Sequence, residues 1–424
     1  MAEKLTFLHA ADLHLGAPFR GLRALSPQWA DQLGEAIGQA YDQIIDLAVE
    51  RAVDFVIIAG DIFDQARASY ADYARFFEGC RRLDAAGIPL YLCTGNHDPY
   101  TAWRRDFGEL PASSYLFSPE KPDFTLYRRD GQPLCVLGGR SYYNRVWSGD
   151  EDIAWGLTRR AADEALAPEG AQAPFGVGVL HTGLHLDPVK APANPLELRH
   201  AGFDYWALGH IHTPWRDSET DPKLVFPGCI QGRDIRETGK RGVCLVTLEE
   251  GAPNRAEFVP TAQVDWELLQ IDISECRALP DVVQTVMRRL FAVNGRACCE
   301  QMVTRITLTG TTPLHEVLRR PGVLEDLRLQ LNDSYGDFFC DTLLDATVLP
   351  IQKDLLREEG LFPAALLGAS ENLRADRAGQ VAYLQEEFLR CGLPMPGEAI
   401  DSIDELAQQA ENLVLDLLVA EEGR

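Results

Sequence analysis

Short apolar runs separated by helical patterns fill the first 260 residues of the chain. Eight of these runs are rich in β-branched or aromatic residues and end at Gly, Pro or polar positions, which predicts buried β-strands. The predicted strands are residues 5–11, 55–59, 90–93, 134–138, 177–180, 205–208, 224–226 and 243–248.

Three amphipathic helices are predicted between these strands. The first begins with Ser26 as its N-cap and Pro27 at its first position, because Ser accepts a bond from a free amide and Pro has no amide to leave unpaired. Its apolar positions then recur at spacings of three and four residues. The other two helices cover about 69–86 and about 151–166. Strands that alternate with helices predict a layered α/β fold with the sheet buried between helices.

The pattern changes after residue 250. The segment 251–265, GAPNRAEFVPTAQVD, is expected to be a boundary. Strands at 266–273, 302–310 and 337–348 then alternate with helices at about 280–293 and 321–332. This predicts a small α/β domain, and the rest of the chain is helical only. We therefore expect three parts, which are residues 1–260, 261–349 and 350–424.

Five short polar motifs follow the predicted strands directly. They are D-L-H at 12–14, G-D at 60–61, G-N-H-D at 95–98, a single His181, and G-H-I-H at 209–212. In an open α/β sheet, ligands bind just beyond the carboxyl ends of the strands. We therefore expect the side chains of these motifs to converge, although they come from distant parts of the sequence.

The motifs supply carboxylate, amide and imidazole groups, which suit divalent cations. The candidate ligands are Asp12, His14, Asp61, Asn96, His181, His210 and His212. They are too many for one tetrahedral metal and enough for two. We expect manganese first, with iron, zinc or magnesium as alternatives. Asp61, the carboxylate next to Gly60, is the expected bridge between the two cations.

Two such cations would bind a phosphate and lower the pKa of a water that attacks phosphorus. His97 follows the candidate ligand Asn96, and we expect it at the rim of the site. There it would protonate the leaving oxygen or stabilise the charge of the transition state. We expect Asp98 to hold the His97 imidazole in the required tautomer. Each motif alone also fits a capping or core residue, and only their joint occurrence at strand ends favours the metal site.

Taken together, the motifs resemble the signature of the calcineurin-like metallophosphoesterase superfamily, which is D-x-H, G-D, G-N-H-[DE], H and G-H-x-H. The resemblance covers about residues 4–250 and implies a four-layer α/β/β/α sandwich. It also implies how the ligands divide between the two metals. One metal would take Asp12, His14, Asp61 and His212, and the other would take Asp61, Asn96, His181 and His210.

A narrower resemblance, to the YhaO-like bacterial proteins of the SbcD-like DNA repair exonuclease branch, comes from longer segments around the motifs. The segments are HAADLHLG, IIAGDIFD, TGNHDPY, ALGHIHTP and FPGCIQGRDIRETGKRG. This resemblance implies a small capping domain after the phosphoesterase domain and an ATPase partner of the SMC/Rad50 type. A homodimer is a further expectation from it. Some archaeal and eukaryotic relatives carry a histidine three residues after the G-D aspartate, where this chain has Asp64.

The net charge limits how the chain can bind nucleic acid. Its 40 basic and 64 acidic residues give a formal net charge of −24. Because DNA affinity depends largely on basic residues that neutralise phosphates, we expect weak DNA binding unless a local basic patch or a partner contributes. The loop 228–242 is the expected patch, and a solvated turn with local ion pairs is the alternative. The residues expected to contact substrate phosphates are Arg233, Arg236, Lys240 and, separately, Arg20.

Two functions remain open from the sequence. The first is a Mn-dependent DNA exonuclease or endonuclease subunit in DNA repair. The second is a phosphodiesterase for a small nucleotide-like substrate, which the acidic charge favours. A nucleic-acid-binding subunit without turnover is a third reading, and the intact His97 argues against it.

The sequence also indicates the cellular compartment. No apolar run reaches the roughly 20 residues that cross a bilayer, so we expect no membrane contact. The ten cysteines are scattered without a C-x-x-C pair, which is typical of reduced cysteines in a large protein. We therefore expect the protein to be cytoplasmic.

Overall fold

The structure, a computed structural model, describes residues 3–17, 26–64, 68–147, 151–169, 172–187, 190–295, 297–299, 301–350, 356–358, 361–393 and 395–422. The chain divides into two compact units. The first comprises residues 1–268, 292–304 and 336–341, and the second comprises 269–291, 305–335 and 342–424. The three-part division expected from the sequence stays a prediction.

Two large sheets form the centre of the first unit. The strands of the first sheet are β1 (Lys4–Ala10), β2 (Phe55–Ala59), β3 (Leu90–Cys93), β4 (Ser114–Leu116), β11 (Gly242–Glu249) and β12 (Arg255–Pro260). Those of the second are β5 (Asp123–Arg129), β6 (Gln132–Arg140), β7 (Phe175–His181), β8 (Tyr205–Gly209), β9 (Trp215–Arg216) and β10 (Leu224–Phe226). Their spatial orders are β12-β11-β1-β2-β3-β4 and β5-β6-β7-β8-β10-β9.

The strands that precede the motifs are parallel within each sheet. In the first sheet β1 pairs with β2, and β2 pairs with β3, in parallel register. In the second sheet β6, β7 and β8 are parallel neighbours. Parallel strands end at the same edge of a sheet, so the loops after them begin side by side. The chain topology thus gathers the polar motifs at strand ends.

Four layers result from the way helices cover these sheets. Helices α1 (Pro27–Glu50) and α2 (Tyr70–Ala85) pack on the outer face of the first sheet through Ile37, Tyr41 and Phe76. Between the sheets lie Phe7, Phe55, Val177 and Tyr205. Helices α3 (Arg159–Leu166) and α4 (Pro195–His200) cover the second sheet through Ala162 and Leu198. Burial of each large side chain here contributes about 2 kcal/mol. The predicted α/β/β/α sandwich is confirmed.

A third, smaller sheet follows in the sequence. Its strands, in the order β13-β14-β15, are Val264–Asp272, Gln301–Thr311 and Phe338–Val348. The helices between them are α5 (Leu279–Asn294), α6 (His315–Leu318) and α7 (Val323–Ser334). Within the first unit, Trp266 and Phe339 from this sheet pack against Trp29 of α1, with the Trp29 and Phe339 rings 5.7 Å apart.

The C-terminal part is helical, as the sequence predicts. Its helices are α8 (Leu361–Ala375), α9 (Arg377–Arg390), α10 (Gly397–Asp401) and α11 (Ile403–Glu422). Among the described helices, none combines the length and the apolar character that a membrane span requires. All ten cysteines are free thiols.

Local signals explain where the sequence expectations hold and where they fail. The Ser26 hydroxyl accepts a bond from the Trp29 amide, and Pro27 opens the helix, as predicted. The helix expected over 151–166 starts only at Arg159, because Gly156 has a φ of +81° that a right-handed helix does not contain. The expected boundary segment 251–265 contains β12, which pairs with β11 and completes an edge of the first sheet.

Candidate metal centre

Asp61 stands at the middle of the predicted ligands. Its Oδ2 lies 3.7 Å from Nε2 of His14 on one side and 3.4 Å from Nε2 of His181 on the other. Its Oδ1 accepts a hydrogen bond from the His97 amide at 2.8 Å. A carboxylate in this position is able to serve two cations at once, and the bridging role of Asp61 stays a prediction.

The other predicted ligands form two groups beside Asp61. In the first group, His212 Nε2 lies 3.8 Å from Asp12 Oδ1 and 3.2 Å from His14 Nε2. In the second, His181 Nε2 lies 3.1 Å from Asn96 Oδ1. The His181 and His210 rings are 5.2 Å apart. The His210 amide donates to the Asp12 carboxylate, which ties the two groups together.

The backbone is strained at four of these ligands. Asp12, His14, Asp61 and His210 have φ values of 51°, 49°, 51° and 106°. Non-glycine residues with positive φ cost free energy and occur where the surrounding structure enforces them, commonly at functional sites. The described chain has eight non-glycine residues with positive φ, and these four predicted metal ligands are half of them.

The glycines of the motifs permit the close approach of the ligands. A Cβ on Gly60 would lie 2.5 Å from His181 Nδ1, and a Cβ on Gly95 would lie 2.2 Å from Asp61 Oδ1. A Cβ on Gly209 would lie 1.9 Å from a carbonyl oxygen of β2. Larger residues at these positions would push the ligands or their strands apart.

Four of the predicted ligands are buried, and this shifts their pKa values. Asp12, His14, Asp61 and His181 are each at most 1% exposed. Burial raises the pKa of Asp12 and lowers that of His14 well below its usual range. Burial alone would raise the pKa of Asp61, but the imidazoles of His181 and His14 hold it well below its usual range. Burial opposes the charge on His181, yet Asp61 raises the pKa of that imidazole to about 9.

The outward hydrogen bonds of the imidazoles show which nitrogens face the centre. Nδ1 of His212 lies 2.7 Å from Glu237 Oε1, and Nδ1 of His181 lies 3.0 Å from the Ala59 carbonyl oxygen. The carbonyl oxygen only accepts, so Nδ1 of His181 donates to it and Nε2 faces Asp61. Nδ1 of His212 lies between the Glu237 carboxylate and the Arg233 guanidinium, and its Nε2 faces Asp12. Nε2 of His14 and Nε2 of His212 lie 3.2 Å apart beside the carboxylates, so one cation could be bound by both imidazoles. The donor set therefore fits divalent cations.

His97 lies at the rim of the centre, where the sequence places it. Its side chain is 45% exposed, and its ring centroid is 4.8 Å from that of His14. Its Nδ1 is 3.5 Å from Asp64 Oδ1, and this contact raises the pKa of His97.

The role expected for Asp98 is wrong. Its buried carboxylate accepts bonds from the amides of Gly95 and Ile62, at 2.9 and 3.0 Å. Asp98 thus fastens the loop after β3 to the loop after β2. The Asp98 carboxylate therefore points toward these amides and not toward the His97 imidazole. The carboxylate that lies beside this imidazole is that of Asp64. Burial raises the pKa of Asp98 to about 7.

The basic residues predicted to contact phosphates differ in placement. Arg233 is in the centre: its Nη2 lies 3.0 Å from His212 Nδ1 and donates to Glu237 at 2.8 Å. Arg236 pairs with Asp234 at 2.7 Å, with 86% of its side chain exposed. Lys240 is exposed on the same loop. Arg20 lies outside the described residues. The phosphate contacts of all four stay predictions.

Two acidic residues of the centre were missed by the sequence analysis. Glu237 contacts His212, and Asp187 Oδ2 lies 3.1 Å from His210 Nε2. Asp187 thereby leaves Nδ1 of His210 as the nitrogen available to a metal. Neither residue directly follows a strand, and although Glu237 lies in the segment 226–242, nothing in its local pattern indicates a contact with an imidazole.

Comparisons with known proteins agree with this geometry. The family model for calcineurin-like phosphoesterases matches residues 5–214, and the one for the middle domain of the metallophosphoesterase YhaO matches 266–348. A Bacillus subtilis protein described as an uncharacterized metallophosphoesterase, YhaO, is 32% identical over 343 residues, which are 80% of this chain and 79% of that protein. The DNA double-strand break repair protein Mre11 of Aeropyrum pernix is 26% identical over 69% of each chain.

Among solved structures, the calcineurin-like phosphoesterase YfkN from Bacillus subtilis covers 69% of this chain and 100% of its own. It has 10% sequence identity and a TM-score of 0.37. At these values the likeness says nothing about the substrate. The two family matches and the extent of the YhaO match are what decide the classification. The protein is a metal-dependent phosphoester hydrolase, and the chain belongs to the calcineurin-like phosphoesterase family, in its YhaO-like branch.

Proposed function

We propose that this protein is a manganese-dependent DNA nuclease subunit that acts in DNA repair. The observation that carries the proposal is the pair of ligand groups that share Asp61 at the ends of parallel strands. Such a centre suits in-line attack of water on a phosphodiester. The choice of DNA as substrate is supported by the similarity to Mre11, which is a DNA double-strand break repair protein.

The ligand groups would hold one cation each. Asp12, His14 and His212 with Asp61 would hold the first, and Asn96, His181 and His210 with Asp61 would hold the second. When bound, the cations supply charge neutralisation at the phosphate and a lower pKa for the attacking water.

The chain's own residues would perform the remaining tasks. Arg233, which is held by Glu237 beside His212, brings a positive charge to the centre that adds to burial in lowering the pKa of His14, and this charge would attract a phosphate. His97 keeps its proton to higher pH because of Asp64 and would donate it to the leaving oxygen. Glu237 and Asp187 would hold the imidazoles of His212 and His210 in the orientation that binds metal.

A partner would provide affinity for DNA that the chain lacks. With a net charge of −24, the chain has little capacity to neutralise a phosphate backbone by itself. An ATPase of the SMC/Rad50 type is the partner that we propose, and a second copy of this chain would double the number of contacts.

A small nucleotide-like phosphodiester is the second candidate substrate. The same acidic charge favours it, and so does the pairing of Arg233 with Glu237 and of Arg236 with Asp234. A small substrate needs no extended basic groove.

The test is a substrate screen with the purified full-length chain. Single-stranded DNA, linear duplex, supercoiled plasmid, cyclic dinucleotides and bis-p-nitrophenyl phosphate are each incubated with Mn²⁺, Fe²⁺, Zn²⁺ or Mg²⁺. We expect cleavage of DNA that is strongest with Mn²⁺ and is abolished by EDTA. Hydrolysis of bis-p-nitrophenyl phosphate and a cyclic dinucleotide, with every form of DNA left intact, would establish the second candidate instead.

A further inference from the structure

An exposed aromatic residue follows in sequence a residue that packs against the second ligand group. The loop 141–147 follows β6, and Arg140 at the end of β6 is paired in register with Leu180 at the end of β7. Tyr142 is buried, and its ring is 5.6 Å from the ring of His181 in an edge-on arrangement. Tyr143 comes next and is 50% exposed. A large aromatic side chain is thus offered to solvent one residue from a contact with a metal ligand.

Hydrogen bonds fix this loop against the loop that carries Asn96 and His97. The Tyr142 carbonyl oxygen accepts from the Thr94 hydroxyl and from the Tyr100 amide, both at 2.8 Å. The Tyr143 carbonyl oxygen accepts from the Thr101 hydroxyl at 3.0 Å. The backbone of Tyr143 is therefore positioned relative to the centre before any ligand arrives. Preorganisation of this kind reduces the entropic cost of binding, and a tyrosine has few rotamers to lose.

Two further apolar side chains are exposed on the loops at this edge. Val146, on the same loop as Tyr143, is 82% exposed. Leu186, on the loop after β7, is 43% exposed. Apolar side chains such as these cannot bind a phosphate. They suit the flat apolar face of a nucleobase.

The pairing of the basic residues near the centre also favours recognition of a nucleobase. The guanidinium groups of Arg233, Arg236 and Arg241 are engaged by Glu237, by Asp234 and by the backbone carbonyls of His212 and Thr238. Duplex binding without such groups is weak, because it depends on neutralised phosphates. Stacking on an aromatic ring supplies affinity that needs no free positive charge.

We propose that Tyr143 stacks on an unpaired nucleobase next to the scissile phosphodiester. The centre then selects single-stranded or frayed ends over continuous duplex, in which both faces of each base are already stacked. The inference rests on the proposed phosphodiesterase function of the same centre and adds the feature of the substrate that it recognises.

The test compares Tyr143→Ala and Tyr143→Phe with the wild type on two single-stranded thymidine oligonucleotides. One oligonucleotide carries all its bases, and the other carries abasic sites at the cleaved end. For the complete oligonucleotide, we expect the Ala variant to raise KM about tenfold and the Phe variant to stay within about twofold of wild type. For the abasic oligonucleotide, the expected KM is the same in all proteins. The control is Tyr383→Ala, which removes a tyrosine that is 61% exposed on α9.

A binding measurement gives a second readout. An oligonucleotide with 2-aminopurine at its end should lose fluorescence on binding to wild type and to Tyr143→Phe, and keep it with Tyr143→Ala. An equal effect of Tyr143→Ala on the complete and abasic oligonucleotides, or no effect on either, overturns the stacking proposal.

The stacking proposal remains testable if DNA is not the substrate. Thymidine 5′-(p-nitrophenyl phosphate) and methyl p-nitrophenyl phosphate share the reacting group and differ in the nucleobase. A selective rise of KM for the thymidine compound in Tyr143→Ala supports base stacking even where no DNA is cleaved. An equal response to both compounds rejects it, whatever the outcome with DNA.

Discussion

His212 is bound on its outer side by Glu237, whose Oε1 lies 2.7 Å from the imidazole Nδ1. The carboxylate is ionised, because although burial opposes its charge, His212 and Arg233 hold the pKa of Glu237 well below its usual range. An ionised acceptor favours a proton on Nδ1 and holds the ring with Nε2 toward Asp12. The metal affinity of the centre should therefore depend on a residue that is not itself a predicted ligand.

Replacement of this carboxylate should weaken metal binding. Glu237→Gln removes the charge that orients His212, and loss of such outer contacts typically costs about 10- to 100-fold in metal affinity. Titration calorimetry with Mn²⁺ measures the change. The matched control is Glu219→Gln, which alters a glutamate that is 80% exposed and paired with Arg216. Equal Mn²⁺ affinity of Glu237→Gln and wild type would show that the contact does not orient the ligand.

Addition of a single methyl group should disrupt the centre. In Gly95→Ala the new Cβ would lie 2.2 Å from Asp61 Oδ1, so the carboxylate or the loop has to move. We expect fewer bound metal ions per chain by elemental analysis and a loss of stability of about 1–3 kcal/mol from overpacking. The control is Gly34→Ala in α1, where a Cβ meets no atom within 4 Å. That variant should retain full metal content and gain up to about 1 kcal/mol in helix propensity. Normal metal content in Gly95→Ala would contradict the requirement for close approach.

The buried His9 should make the fold sensitive to acid. It lies between the sheets, with Nδ1 3.0 Å from the Tyr205 hydroxyl, and burial lowers its pKa from 6.5 to about 3. Between these two pH values the unfolded chain binds a proton that the folded chain does not. The free energy of unfolding therefore falls as the pH drops below 6.5, by about 1.4 kcal/mol per pH unit from this residue.

A variant without the imidazole isolates this contribution. His9→Gln should reduce the slope of unfolding free energy against pH by about one proton between pH 6 and pH 4, whatever its effect at neutral pH. Denaturant unfolding at several pH values gives the slopes. His200→Gln, which changes an exposed histidine at the end of α4, is the control. Identical slopes for His9→Gln and wild type would mean that His9 is protonated in the folded state.

The sequence predicted the centre because its principal ligands follow strands directly. The positions of Asp12, Asp61 and His181 could be predicted from one rule, which is that parallel strands end at the same edge of a sheet. This rule did not predict Glu237 and Asp187, since they lie on loops whose path depends on packing against residues that are distant in sequence. Asp98 was misassigned because sequence adjacency to His97 does not determine the direction of its side chain.

In the fold, too, the elements that depend on local sequence were predicted, and an element that depends on distant contacts was not. Strands such as β2 and β3 are continuous apolar runs, and the structure has them with the predicted bounds. The edge strand β12 has an exposed, mixed face and follows turn-forming residues, so its sequence is typical of a linker. Only its pairing with β11 makes it a strand.

The proton held by His97 should matter only for substrates whose leaving group needs it. Since the contact with Asp64 raises the pKa of His97, the protonated form persists to higher pH and the rate falls once the pH exceeds that pKa. Asp64→Asn should move this alkaline limb to lower pH. His97→Ala should lower kcat about 10²- to 10⁴-fold for a phosphodiester with an alkoxide leaving group, and much less for bis-p-nitrophenyl phosphate, whose leaving group departs without a proton. Metal content should stay normal in both variants, because neither His97 nor Asp64 is among the seven predicted ligands and the His97 side chain is exposed at the rim. An equal loss of kcat with both kinds of leaving group would assign His97 to charge stabilisation rather than to proton donation.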